Sequence, residues 1–316
     1  MKDGLLIAGG VAGAVGVAGL IAAGLSLSRR GGSYLAAGHA LARPDDVDPL
    51  PRVLRRGLGG LTVPVTPGPR GELFLGPGAP QPGRTLRRLV LTPLLARARG
   101  QGGRPGRPPF RLVVEFTGAV RDADTLLRAY RILDQQLRDH AGLLSRCTED
   151  DVTPGAVTVS VSGIVDVRGL LAAQAERYLF AEGSFDDIGS RSAPAGLVPM
   201  ISEPWSRRFG WDGLEPIPAE ERHLLHALVR SAHDDGRTVC VSGLPEGPRR
   251  ARAAVWTELS AAGVDVIADH DQRGLARHLR RHPALGPMAQ AQTARSARRP
   301  SPRPNGPRPD RRREPV

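Results

Sequence analysis

Downstream of the linker Arg29-Arg30-Gly31-Gly32-Ser33, short apolar runs alternate with longer segments whose apolar residues recur every three or four positions. The short runs predict strands at 35–38, 60–65, 111–116, 156–162, 179–181, 197–201, 238–243 and 264–268. The longer segments predict helices at 49–56, 86–98, 122–140, 168–178, 219–234, 249–261 and 272–281. Residues 111–116 and 238–242 are rich in β-branched side chains and short enough to cross a barrel wall. Between them, Leu126, Leu127, Tyr130, Leu133 and Leu137 form a single apolar stripe along a helix. Asp122 stands where it can cap that helix. Pro218 followed by Glu220 and Glu221 marks the start of another, with Gly236 as its stop. Eight strands, most of them followed by a helix, predict a closed (β/α)8 TIM-type barrel.

Three regions break the alternation. Residues 66–84 hold one apolar stretch, Leu73-Phe74-Leu75, among turn formers, which predicts a short hairpin or loop extension. Residues 4–28 carry no charge and are bounded by Lys2 and Arg29-Arg30, a length that suits a bilayer-spanning helix. We read residues 1–30 first as a transmembrane helix and membrane anchor, and second as a cleaved signal peptide that would leave the protein secreted. The charge rule gives no orientation, because Lys2 and the arginine pair compete. From about Pro283 the periodicity gives way to Pro, Arg, Ser and Gly, so the expected domains are a barrel over 31–285 and a disordered tail over 286–316.

Composition refines this picture. The 316 residues carry a formal charge of +12, yet Lys2 is the only lysine among 44 basic residues, which resembles a coding bias towards arginine as much as selection for an anionic partner. Residues 291–316 hold eight arginines against Asp310 and Glu314, so the tail supplies +6 of the excess. That tail could meet an anionic membrane surface or nucleic acid. Aromatic residues make up only 4% and none interleaves with the tail arginines, so sequence-specific nucleic-acid readout is not expected. Cys147 and Cys240 fall far apart around the expected barrel and predict no disulfide.

Several fragments, in order, carry a resemblance. They are DPLPRVLRRGLGGLTVPV at 48–65, GELFLG at 71–76, FRLVVEF at 110–116, PGAVTVSVSG at 154–163, SFDDIGSRSAPAGLVPMISEPWSRRFGW at 184–211 and AAVWTELSAAGVDVIADHDQRGL at 253–275. Over roughly Tyr34 to His282 the chain resembles the phospholipase C-like phosphodiesterase superfamily. It looks closest to the bacterial extracytoplasmic branch grouped with the altered inheritance of mitochondria family and related to glycerophosphodiester phosphodiesterases. The resemblance implies a TIM-type barrel, a phosphoric diester hydrolase lineage tied to lipid metabolism, and an extracytoplasmic location. In active members it implies two acid–base histidines and a divalent cation such as Mg or Ca held by carboxylates.

At the positions matching those motifs the chemistry is missing. The outer histidine of the first motif survives as His39, but the acid–base histidine falls on Leu41, and its polar neighbours on Ala42 and Arg43. The carboxylate pair after the second strand falls on Thr62 and Pro64, and the second histidine on Pro77. On the third strand a carboxylate remains as Glu115, while the accompanying cation is gone. The resemblance therefore predicts a barrel that has lost catalysis, with no metal or other cofactor, serving as a membrane-tethered binding or structural module. Its alternative is an active metal-dependent hydrolase of a glycerol- or inositol-type phosphodiester.

Residual catalytic candidates are His39 and Glu115; binding candidates are Arg43, Glu203, Trp205 and Asp269, all expected near the carboxyl ends of the strands. The ligands this suggests are an anionic small molecule, an anionic surface or a protein partner. Trp205, Phe209 and Trp211 read as a hydrophobic plug ahead of a lid. Asp269-His270-Asp271 reads as the cap of the last helix ahead of a metal tract.

Overall fold

The structure is a computed structural model, and it describes residues 35–100, 108–117, 122–148, 151–163 and 167–283. Eight parallel strands form the barrel: β1 (Leu35–Leu41), β2 (Leu58–Pro67), β3 (Phe110–Phe116), β4 (Val157–Ser162), β5 (Leu179–Gly183), β6 (Met200–Pro204), β7 (Thr238–Ser242) and β8 (Val266–Asp269). Each pairs with the next, and β8 closes the ring on β1 with Gly38 opposite Ile267 and His39 opposite Ala268. Seven α-helices accompany them: α1 (Pro49–Arg56), α2 (Thr92–Gly100), α3 (Ala123–Arg138), α4 (Val167–Ala172), α5 (Ala219–Asp234), α6 (Arg249–Ala261) and α7 (Gln272–Arg281). The chain is a (β/α)8 barrel, as the alternation of runs predicts.

Local chemistry explains the element ends. Asp122 caps α3 by accepting from the Thr125 amide at 2.9 Å, and Asp271 caps α7 by accepting from the Gly274 amide at 2.9 Å. Gly57 ends α1 in the left-handed conformation, φ 72°, so the chain can turn directly into β2. Residues 73–75 pair antiparallel with the end of β2, which makes the expected hairpin. The outward faces of the strands bury Val, Leu and Ile against the helices, whereas the barrel interior packs a small cluster of Met200, Cys240, Val266, Ala268 and Leu41. Cys147 and Cys240 are both free and buried.

Two elements differ from expectation. The helix expected over 168–178 stops at Ala172, because Glu176 and Arg177 pair with Thr148 and Cys147 in a small three-stranded antiparallel sheet. A long-range ladder wins there over local helix preference. The strand expected over 197–201 starts three residues later at Met200, since Leu197 and Val198 donate to the Pro194 carbonyl in a turn. Buried Arg237, just before β7, pins that turn by donating to the carbonyls of Ala193 and Val198.

The transmembrane helix expected from the sequence is not found among the described residues, where no helix is long and apolar enough to cross a membrane. The run 4–28 on which that helix was placed, and the tail expected over 286–316, lie outside the described residues.

Candidate functional site

At the carboxyl ends of the strands the barrel holds a cavity of about 250 Å³. Its wall includes His39 and Leu41 from β1, Thr62 from β2, Glu115 from β3, Ser162 from β4, Glu182 from β5, Ser202 from β6, Cys240 and Ser242 from β7, and His270 just past β8. Strand alternation sets this membership, because every second residue of a barrel strand points inward. Inward Met200 and Ser202 therefore leave Ile201 and Glu203 on the outer face.

His39 is 1% exposed, and its Nε2 is hydrogen-bonded to Thr62 Oγ1 at 2.8 Å. Its ring fills the space a side chain at Gly60 would occupy. Burial, reinforced by the positive charge of Arg111, drives its pKa down to about 3, so the imidazole is neutral at physiological pH. Its hydrogen bond occupies the hydroxyl of Thr62, at the position where the resembling family has a carboxylate. Leu41 contributes an apolar patch to the wall. Pro64 lies beside Glu115 in the ladder without reaching the cavity, and Pro77 is exposed in the hairpin loop.

The opposite side of the cavity is acidic. Glu115 is raised above the ordinary glutamate range by burial, with His270 opposing the rise. Glu182 reaches about 7: burial is the main cause, hydrogen bonding from Ser202 pulls against it, the charge of Glu115 adds to it and Ser162 offsets it. Burial, followed by the charge of Glu182, also pushes the Cys240 thiol up to about 12, which leaves it protonated and unreactive. The wall contains no arginine or lysine.

The other candidates from sequence lie elsewhere. Glu203 is 2% exposed and accepts from the Phe185 amide at 2.9 Å, while Arg207 at 2.9 Å and Arg208 at 3.1 Å neutralise it. Buried Trp205 donates through Nε1 to the Trp211 carbonyl at 2.8 Å and stacks on Phe209 with ring centroids 4.2 Å apart. It packs as a plug outside the barrel interior. Asp269 accepts from Trp256 Nε1 at 3.0 Å and from the Asp271 amide at 2.7 Å, so it organises the start of α7. Arg43 is exposed on the rim, where with Arg249, Arg252 and His270 it borders a wider outer cleft of about 770 Å³.

Sequence reasoning missed Glu182 because it ended the fifth strand at Ala181. The signal was the alternation itself: continuing Leu179-Phe180-Ala181 by one residue places Glu182 on the same inner face as Phe180. The sixth strand runs on to Pro204, beyond its expected end at residue 201, and alternation from Met200 brings Ser202 in and leaves Glu203 out.

The divalent cation implied by the family resemblance does not fit these residues. Its expected ligand positions hold a hydroxyl engaged by His39 and a proline outside the cavity, and no group of three or more His, Cys, Asp or Glu among the described residues could hold a metal ion.

No family model matches the chain, and no curated protein sequence does. Among solved structures the chain is similar to a glycerophosphoryl diester phosphodiesterase from Parabacteroides distasonis, at 11% identity and a TM-score of 0.47, over 82% of this chain and 90% of that one. It is also similar to a glycerophosphodiester phosphodiesterase from Agrobacterium tumefaciens, at 10% identity and a TM-score of 0.38, over 77% of this chain and 98% of that one. The thiamine phosphate pyrophosphorylase of Pyrococcus furiosus matches in the same range, at 12% identity and a TM-score of 0.39, over 80% of this chain and 98% of that one. The barrel assignment rests on the closed strand order, and likenesses this distant, to enzymes of unrelated chemistry, identify no reaction.

Proposed function

We propose that this chain is a ligand-binding barrel of the phosphodiesterase type that does not hydrolyse phosphodiesters. One observation carries the reading: the cavity presents Leu41 where the resembling family has its acid–base imidazole, and no arginine or lysine lines the space a phosphoryl group would fill. Phosphoryl chemistry depends on positioned positive charge to offset the developing negative charge, and acidic walls oppose it. His39 cannot substitute, since its Nε2 is bonded to Thr62 and its ring stays neutral far below pH 7.

The test is turnover of bis(p-nitrophenyl) phosphate by the purified chain with Mg²⁺, Ca²⁺, Mn²⁺ or Zn²⁺. The expected rate equals that of Glu115→Ala. Chelator-sensitive turnover that this substitution lowers at least about tenfold would overturn the reading. A second reading has one observation in its favour: Glu115 and Glu182 share the cavity, and Glu182 is poised near neutrality as an acid–base group would be. In that case the same assay would show turnover that Glu182→Gln abolishes.

A further inference from the structure

The chain as a whole is strongly basic, with a formal charge of +12, yet the wall of its central cavity carries two glutamates and neither arginine nor lysine. The carboxylates are arranged, not scattered. Glu115 stands opposite Ser162 in the β3–β4 ladder, and the β4–β5 register, Val161 opposite Ala181, continues to place Ser162 beside Glu182. Two acids thus flank a serine along one arc of the wall. Across from them, Leu41 and Ala268 give an apolar patch, and Met200 stands beside Glu182 in the β5–β6 ladder.

His39 lines the same cavity with a side chain 1% exposed, its Nε2 bonded to Thr62 and its Nδ1 packed against Gly60. Arg111, the cation near this ring, lies in the same ladder row through Gly60, donates to the Ala36 carbonyl and is not part of the wall.

We propose that the cavity binds a small primary ammonium compound with a short aliphatic chain, the ammonium held by Glu115 and Glu182 and the methylenes laid against Leu41 and Met200. A cavity of about 250 Å³ suits a molecule of this size. A phosphate or carboxylate ligand would meet two like charges there with no compensating cation. This inference rests on the binding reading above and specifies its ligand class.

The experiment is calorimetric titration of the full chain with 1,4-diaminobutane at pH 8, with glycerol, glycerol 1-phosphate and CaCl₂ as separate titrants. We expect saturable binding of the diamine, weakened at least about tenfold by Glu182→Gln and by Glu115→Gln, with melting temperatures confirming that both variants fold. Three results would each overturn it: no saturable diamine binding up to about 10 mM, binding indifferent to both substitutions in folded protein, or tighter binding of glycerol 1-phosphate or Ca²⁺. The two proposals fail separately. Phosphodiester turnover with diamine binding intact would remove only the non-hydrolytic reading, whereas an inert protein that ignores diamine would remove only the ligand class.

Discussion

Two sides of one cavity have different fates in this barrel. Along β1 and β2, Leu41 is apolar, His39 and Thr62 are hydrogen-bonded to each other, and Pro64 is outside the wall. Along β3 to β6, Glu115, Ser162, Glu182 and Ser202 remain inward and polar. A barrel tolerates this because strands fix the scaffold while the residues at their carboxyl ends vary independently. The difference teaches that the strand ends of one barrel can carry opposite chemistry around a single cavity. A neutral side and an acidic side together make a chamber with polarity, which an all-apolar or all-acidic one would lack.

The contrast is sharpest where each side meets its support. The acidic side continues from β6 into the Trp205 plug, which is 2% exposed and stacked on Phe209. Trp205→Ala should therefore cost about 3–5 kcal/mol in urea unfolding. A loss below about 1 kcal/mol would show that the plug is a mobile lid and not part of the scaffold.

Next in size is the pH dependence of the acidic side. Glu182 has a folded pKa of about 7 against an ordinary 4.5, so its contribution to stability is fully present below about pH 4.5 and is lost as pH rises through 7. The loss is on the order of 3 kcal/mol. His39, held down near 3 from an ordinary 6.5, contributes with the opposite sign: its share is present above pH 6.5 and is lost as pH falls towards 3. The difference between the wild type and Glu182→Gln isolates the glutamate. Denaturant midpoints from pH 4 to 8 should diverge in favour of the variant as pH rises, and parallel curves would show that Glu182 is ionised and solvated in the cavity.

The smallest effect is expected on the neutral side. Leu41 is partly exposed to the cavity, so Leu41→His should change stability by about 1 kcal/mol or less. It should also leave phosphodiester turnover undetectable, because one imidazole restores neither the carboxylates nor the cation missing from the same motifs. Turnover gained from this single substitution would mean that the two sides differ by one residue and not by a whole set.

The sequence by itself determined the barrel. Short β-branched runs such as residues 111–116, separated by stripes such as Leu126, Tyr130, Leu133 and Leu137, admit few other ways to bury both periodicities at once. It also placed Glu115 within the third strand, whereas His39 fell one residue past the expected end of the first, and only the longer β1 buries it in the barrel instead of leaving it on a turn or the surface. Which residues meet in the cavity was decided by tertiary structure. Ending the fifth strand one residue before Glu182 hid one inward acid, and ending the sixth at residue 201 left Ser202 and Glu203 unassigned to either face. A strand has a period of two, so alternation assigns a face only to residues inside the strand. Those ends were set by contacts distant in sequence, among them Arg237 holding the carbonyls of Ala193 and Val198 about 40 residues away, which no local pattern encodes.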